Sequence, residues 1–478
     1  MDYILKGHSR ADDVVSMLML FFPNLKYAKC ESVPDEGIAC LSERLEDGCR
    51  AVIYENGERK AEAFEKMRFF DVKEEKRAIG MSIKKAVECI CDVHVPWGIL
   101  TGVRPAKFVT VLKEEGLSDS EIMTQLRDDY AVSESKARLA VTVSEYEEAI
   151  VAKGKNKIGL YIGIPFCPTR CLYCSFTSYP LKQYAKKVDT YLDALEKEMQ
   201  FVGDLVKGKN IESLYIGGGT PTSLNELQLE RLLGMVNKYF DKPEEYTVEA
   251  GRPDTITRQK LKSLKDFGVG RISINPQTLN DETLKLVGRE HTTEMFLKAF
   301  EMAREEGHNH INTDIILGLP GEGAVQVENT MKGLERLSPE SITVHTLAVK
   351  RASRLRETLE KYNMTDARVM DELIGISAEY TSAMGMHPYY MYRQKNMVGN
   401  FENVGYCKEG CECVYNVAIM EERQSIWALG AGGSTKIVDN STDRIERVFN
   451  VKSVDDYITR LDEMLERKKA VLSLFEEK

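Results

Sequence analysis

Residues Tyr161–Phe176 read YIGIPFCPTRCLYCSF. An apolar, strand-like run ends at a Phe-Cys-Pro corner, and Cys167, Cys171 and Cys174 follow in a C-x3-C-x2-C array. One loop can bring three thiolates at this spacing to a single inorganic centre. A tetrahedral zinc site wants a fourth protein ligand, and none stands nearby in sequence. A [4Fe–4S] cluster usually takes four cysteines, so three leave one iron open to a small molecule.

Outward from that loop, residues 157–348 alternate β-rich apolar runs with amphipathic helical patterns. The strand candidates are IGLYIGIPF, SLYIGGGT, YTVEAG, RISINPQ, INTDIILGLP and SITVHTLA. Between them lie segments such as DTYLDALEKEMQFVGDLV, with apolar residues at three- and four-residue intervals. Successive β-α units of this kind predict an α/β fold with a parallel sheet and right-handed crossovers, either doubly wound or a partial barrel. Both architectures carry their chemistry at the C-terminal ends of the strands. The cysteine loop stands at such an end, and so does Gly217-Gly218-Gly219-Thr220-Pro221-Thr222. Glycine there lets backbone amides approach a ligand such as the carboxylate of an amino acid.

The flanks differ. Residues 1–155 predict a separate α+β domain: a strand at YILKG, a helix at ADDVVSMLMLFF, two strands turning at Glu55-Asn56-Gly57, then mostly helix. In VPWGILTGVRP, Trp97 and Arg104 are read as packing and capping residues. Beyond Asp366 the expectation is a long helix, three β-rich segments (PYYMYRQK, CVYNVAIMEE, SIWALGAGG) and a charged helix from Val454. This gives three domains: 1–155, 156–365 and 366–478.

With 478 residues and 43% hydrophobic content, several cores are expected. The N-terminus shows no signal-peptide pattern and no apolar run approaches the roughly 20 residues of a membrane span, so a cytoplasmic protein is expected. The net charge of −10 is spread over 65 basic and 75 acidic residues, which disfavours a nucleic-acid surface. Eleven cysteines, an odd number, point to reduced thiols or metal ligands. Cys30, Cys40, Cys49, Cys89 and Cys91 are expected to be small buried apolar residues.

The C-x3-C-x2-C loop resembles that of the radical S-adenosylmethionine (SAM) enzymes. The resemblance implies a partial (β/α)6 barrel, a [4Fe–4S] cluster on Cys167, Cys171 and Cys174, and SAM chelating the open iron. Cleavage of the sulfonium then yields methionine and a 5′-deoxyadenosyl radical. The GGGTPT turn is similar to the glycine-rich SAM motif of that superfamily. YIGIPFC, GGGTPT, EAGRP, RISINPQTLNDETLKLVGREHT and NTDIILGLPGE extend the resemblance to the coproporphyrinogen dehydrogenase-like branch (HemN, HemW, HemZ). Asn275-Pro276, LTGVRPAKF, HTLAVKRAS and the N-terminal domain are most similar to the HemZ subgroup. Carried over residue by residue, the SAM contacts are Tyr161, Gly218, Gly219, Thr220, Glu249, Gln277, Arg289 and Asp314, with Tyr161 and Arg289 also catalytic. A carboxylate such as Asp314 can accept from ribose hydroxyls, and Arg289 can pair with the SAM carboxylate.

The branch implies a tetrapyrrole substrate, foremost oxidative decarboxylation of coproporphyrinogen III propionates to vinyl groups in heme biosynthesis. It also implies a low-potential electron donor such as flavodoxin or ferredoxin. One departure bears on this: Phe176 stands where the dehydrogenases carry a further cysteine, and the heme-chaperone members carry phenylalanine there. A heme-binding or heme-transfer protein is therefore the alternative, and a radical SAM RNA-modifying enzyme, disfavoured by the acidic balance, the second. Cys407, Cys411 and Cys413 are read as loop residues without metal, Tyr392-Arg393-Gln394-Lys395-Asn396 as cationic anchors for propionates or a solvated turn, and His345 as a packed polar residue.

Overall fold

Near the N-terminus, strands β1 (Asp2–Lys6), β2 (Ile38–Arg44), β3 (Gly48–Glu55) and β4 (Glu58–Lys66) are joined edge to edge, with helix α1 (Ala11–Phe21) between the first two and α2 (Val72–Glu88) after the last. The computed structural model describes residues 1–478 except 24, 93, 103, 351–352, 358–361, 363–364, 395–399, 443 and 477–478, and the side chains of 473–476. The chain forms two units, one of residues 1–142, 366–368 and 392–402, the other of 143–365, 369–391 and 403–478.

In the first unit β1 runs parallel to β2, and β2, β3 and β4 form an antiparallel meander. The β3–β4 turn places Asn56 at φ 52° and Gly57 at φ 76°, the pair of left-handed residues that a tight hairpin requires. One core buries Val14 and Leu18 of α1, Ile53 of β3, and Ile79 and Ile83 of α2. Cys40 and Cys49 lie in that core as expected, but Cys89 is exposed and Cys30 and Cys91 are half-buried. Helices α3 (Pro105–Glu114), α4 (Asp119–Tyr130) and α5 (Glu134–Lys153) follow. Trp97 is buried, and its indole N–H donates to Glu402 at 2.7 Å. No side-chain cap bond comes from Arg104 at the start of α3.

The second unit is built on β5 (Ile158–Ile164), β6 (Ile211–Gly218), β7 (Glu245–Gly251), β8 (Arg271–Ile274), β9 (Ile311–Leu317) and β10 (Ser341–Thr346). They neighbour one another in chain order and all run parallel. Each pair is linked through a helix: α6 (Val188–Val206), α7 (Glu226–Tyr239), α8 (Arg258–Asp266), α9 (Thr293–Glu305) and α10 (Ala324–Leu337). Side-chain caps start several of them; Asn225 accepts from the Gln228 amide, Thr257 from Lys260 and Thr292 from Met295. This is the expected partial (β/α)6 barrel.

The chain beyond residue 366 supplies helix α11 (Ala367–Ala383) and then extends the sheet at both edges. Strands β11 (His387–Arg393) and β12 (Glu402–Cys407) continue it past β10, while β13 (Ser425–Leu429), parallel to β5, is followed by β14 (Ser434–Asp439) and β15 (Arg444–Phe449). CVYNVAIMEE, expected as β-rich, is instead mostly helix α12 (Val414–Glu421). Its β-branched and aromatic residues favour a strand, but Glu245 of β7 accepts from the Val414 and Tyr415 amides at 2.9 and 3.2 Å. A carboxylate on these otherwise unpaired N–H groups fixes a helix start. The charged C-terminal segment is helical, and its Lys468 pairs with Glu198 of α6 at 2.8 Å, both side chains fully buried. Among the described residues no helix is long and apolar enough to cross a membrane.

Candidate active site

Strand β5 delivers the chain to Cys167 at the C-terminal end of the parallel sheet. There the Gly219 and Thr220 amides donate to the carbonyls of Ile164 and Phe166, both at 2.8 Å. A Cβ on Gly219 would meet the Phe166 oxygen at 2.6 Å and Cys167 Sγ at 3.0 Å, and Gly218 sits at φ +109°. The glycines are thus demanded by the approach of two chain segments. The amides of Gly219 and Thr220 are thus engaged by the protein's own carbonyls. Thr220 Oγ1 lies 3.5 Å from Cys167 Sγ.

Other contacts fix the rest of the cysteine loop. The Leu172 amide donates to Val287 O and Leu172 O accepts from the Leu355 amide, both at 2.9 Å. Buried Arg252 donates to Thr169 Oγ1 at 2.6 Å while gripping Asp254 with Nε and Nη2 at 2.9 and 2.6 Å. Burial pushes the Cys167 thiol up to about 12, with Cys174 and Cys171 adding to the shift against Thr220. Burial likewise raises Cys174.

Beside this loop, alternate residues of neighbouring strands project polar groups onto one face, as the period of two dictates. Tyr161 is in register with Tyr215, their rings stacked at 6.4 Å, and the Tyr415 ring of α12 lies 4.5 Å from Tyr215. The Tyr215 hydroxyl donates to Glu249 at 2.6 Å. Burial pushes Glu249 up to about 7, helped by the Asp314 carboxylate and opposed by the bonds from Tyr215 and the Gly218 amide. Asp314 accepts from Asn275 and Asn312, each at 2.8 Å, and His345 Nε2 lies 3.8 Å from its carboxylate. Gln277, at φ 68°, is bridged to β9: its amide donates to Asp314 O at 3.0 Å and its carbonyl accepts from Ile316 at 2.9 Å. Its buried side-chain oxygen has no hydrogen-bond partner among the described residues.

The carried-over residues therefore gather at one end of the parallel sheet, where β5, β6, β7 and β9 and the loops after them meet. Arg289 is buried and already engaged, donating to Asn275 O at 2.7 Å, Tyr173 Oη at 3.2 Å and His291 Nδ1 at 3.4 Å. It holds Asn275, which in turn holds Asp314. Four residues here were not foreseen in these roles: Tyr215 and Tyr415 were not singled out, Asn275 was named only as a mark of the subgroup, and His345 was read as packing although it lies 3.8 Å from Asp314. Strand register carried the signal, because Tyr215 lies opposite Tyr161 and His345 steps two residues on from Thr343, the partner of Asp314. Arg393 is a correction. It is buried in the first unit, 5.2 Å over the Trp97 ring, and donates to the carbonyls of Leu100 and Asn400, the latter at 2.8 Å from Nη2. Its donors are consumed by backbone, leaving it no part in anchoring a propionate. Lys395 and Asn396 lie outside the described residues.

Residues 161–334 match the radical SAM superfamily. The oxygen-independent coproporphyrinogen-III oxidase-like protein HemZ of Bacillus subtilis is 38% identical over 404 residues, 83% of this chain and 81% of that protein. The chain belongs to the radical SAM superfamily, in its coproporphyrinogen oxidase-like branch. The heme chaperone HemW of B. subtilis is 33% identical across 63% of this chain and 76% of its own length. The crystal structure of coproporphyrinogen III oxidase (HemN) from Escherichia coli shares the fold, with a TM-score of 0.53 and 23% identity over 67% of this chain and 72% of that one.

A radical SAM domain works with a [4Fe–4S] cluster and SAM, and the residues present fit both. The loop offers three thiols and no competing histidine in its sequence. Among the described residues, the one group of at least three histidine, cysteine or acidic ligand atoms lying within 4.8 Å of one another is elsewhere, at His387, Cys407 and Glu412. Three thiols are one short of a closed tetrahedral zinc site and leave one iron of a [4Fe–4S] cluster open. The orphaned Gln277 oxygen and the Asp314 carboxylate offer acceptors for the amine and hydroxyl donors that SAM carries.

Proposed function

We propose that this protein is a radical SAM enzyme acting on a tetrapyrrole, and that its reaction is oxygen-independent oxidative decarboxylation of coproporphyrinogen III propionates to vinyl groups. The observation that carries this reading is the extent of the likeness to the coproporphyrinogen oxidase-like HemZ, 83% of this chain, through both the cysteine loop and the inward polar face. Bound at these residues, cluster and SAM would supply radical chemistry: a propionate β-hydrogen atom would pass to the 5′-deoxyadenosyl group, and loss of carbon dioxide together with one electron, taken up by a one-electron acceptor, would leave the vinyl group.

In this reading Cys167, Cys171 and Cys174 hold the cluster, and the turn at Gly218, Gly219 and Thr220 fixes the loop that carries them. Asp314 accepts from ribose hydroxyls, held for that task by Asn275 and Asn312. Gln277 offers its side-chain oxygen to a donor on SAM, and Tyr161 and Glu249 line the same face. Glu249, poised near neutrality, accepts from Tyr215 and can take or release a proton there. Arg289 positions the Asn275–Asp314 pair and presents its charge to the SAM carboxylate. The protein works in the cytoplasm with a flavodoxin- or ferredoxin-like donor.

The test is an anaerobic incubation with SAM, a low-potential reductant and coproporphyrinogen III, with product masses recorded. Loss of one or two carboxyl groups is expected. A second reading, heme transfer, is favoured by Phe176, which follows the cluster loop at 72% exposure, and by the likeness to HemW. Stoichiometric heme binding with no change in porphyrinogen mass would replace the first reading by the second.

A further inference from the structure

A second set of ligand groups meets away from the cysteine loop. His387 at the start of β11, Cys407 at the end of β12 and Glu412 in the turn that follows bring one ring nitrogen, one sulfur and one carboxylate oxygen within 4.8 Å of one another. Cys407 is in register with Ser341, the first residue of β10, so the group sits at the end of the sheet opposite the cysteine loop.

Cys407 and Glu412 both address the same ring nitrogen. His387 Nε2 lies 3.1 Å from Glu412 Oε1 and 3.6 Å from Cys407 Sγ. A ring nitrogen carries either one proton or one lone pair. If it donates to Glu412, the Cys407 thiol has no acceptor at that atom; if it accepts from the thiol, the carboxylate has no donor. A cation bound by all three removes the conflict. The spacing fits: bonds of about 2.0–2.1 Å to nitrogen and about 2.3 Å to sulfur at a tetrahedral angle place the two ligand atoms about 3.6 Å apart.

The surroundings offer His387 a carboxylate neighbour and a stacked ring. Nδ1 of His387 faces the Glu409 carboxylate at 3.8 Å, and the Tyr146 ring stacks on the imidazole at 3.9 Å with an interplanar angle of 12°. Closing that gap to a hydrogen bond, as a bound cation would favour, gives the ring nitrogen the outer carboxylate that fixes tautomer and orientation in metal-bound histidines. Arg271 donates to the carbonyls of Cys411 and Glu412 at 3.0 and 2.7 Å, which sets the turn bearing Glu412. Cys413 points elsewhere, its sulfur 3.5 Å from Glu245 Oε1. We propose that His387, Cys407 and Glu412 bind a divalent ion of the zinc class, completed by water, with Glu409 as the outer carboxylate. The mixed nitrogen, sulfur and oxygen set suits zinc. The ion ties the β11 start, the β12 end and the turn before α12 together, a structural role independent of the reaction proposed above.

The full-length protein, purified anaerobically with its cluster in place, is exposed to zinc chloride and desalted. Zinc and iron are then counted by mass spectrometry, and the zinc shell is measured by X-ray absorption. The expected result is one zinc per chain with a single sulfur at about 2.3 Å and nitrogen or oxygen for the rest. Cys407→Ser and His387→Gln lose zinc but keep iron, and Cys411→Ala keeps both. Glu409→Gln alters only a side chain that is 86% exposed, so folding is not at stake, and it weakens zinc binding about tenfold or more in competition with a chromophoric chelator. No zinc retained by the wild type, a shell with no sulfur or more than one, or unchanged affinity in Cys407→Ser would each overturn the assignment.

Discussion

The Tyr215 hydroxyl and the Glu249 carboxylate meet at 2.6 Å on the inward face of the parallel sheet. Tyr215 comes from the second strand of the parallel sheet and Glu249 from the third, so the bond couples two strands near the ends that carry the chemistry-bearing loops.

This pair makes stability depend on pH in a defined sense. Burial raises Glu249 from the ordinary carboxylate range to about 7, so between those values the folded state holds more protons than the unfolded one. Stability linked to this group is fully present at low pH and is lost as pH rises through about 7. Glu249→Gln keeps an acceptor for Tyr215 without the charge. Without SAM, the variant should exceed wild type by up to about 3 kcal/mol at about pH 8, with the gap narrowing towards pH 5.5. Denaturant midpoints at the two pH values measure it; a gap that does not change with pH contradicts the assignment.

Asp314 tests the ligand-facing side of the same surface. Asp314→Ala removes an acceptor whose charge-assisted bond is worth about 1.5–3 kcal/mol, so SAM affinity should fall by about one to two powers of ten. Iron content should not change. Calorimetric titration of SAM into wild type and variant decides; equal affinities would mean that SAM does not reach Asp314.

Gly219→Ala should act through sterics alone. The new methyl meets two backbone oxygens, those of Phe166 at 2.6 Å and Ile164 at 3.0 Å, neither of which can swing away like a side chain. We expect a loss of about 1–3 kcal/mol and poorer cluster incorporation, read from denaturant midpoints and iron per chain. Wild-type values for both would show that the turn yields easily.

Arg393→Gln separates packing from substrate docking. The guanidinium is buried against Trp97 and satisfies backbone carbonyls, so its loss leaves acceptors unpaired in the first unit. A destabilisation of about 2 kcal/mol or more is expected, with porphyrinogen affinity unchanged below the melting range. Intact stability with weakened porphyrinogen binding would restore Arg393 as a propionate anchor.

Much of this was legible in the sequence where local pattern and tertiary demand agree. All six barrel strands were, because each is an apolar, β-rich run bounded by glycine, proline or a helix cap, and the cysteine loop announced itself by spacing. Errors arose where a distant residue decides. VYNVAIME favours a strand by composition, but the Glu245 carboxylate, 169 residues from Val414, starts a helix there. Arg393 stands in a run of polar residues that looks solvated, and only Trp97 and the carbonyls facing it from far along the chain make it a buried residue. His345 and Tyr215 looked ordinary singly; their roles appear once strand register sets them opposite Ile316 and Tyr161.

The central claim is that the loop of Cys167, Cys171 and Cys174 holds a cluster that cleaves SAM. The most direct measurement is 5′-deoxyadenosine formed from SAM under dithionite, alongside iron per chain, in wild type, Cys171→Ala and Cys411→Ala. Wild type and Cys411→Ala should form 5′-deoxyadenosine and carry iron, while Cys171→Ala should do neither. Formation of 5′-deoxyadenosine by Cys171→Ala, or its absence from iron-loaded wild type, would contradict the account.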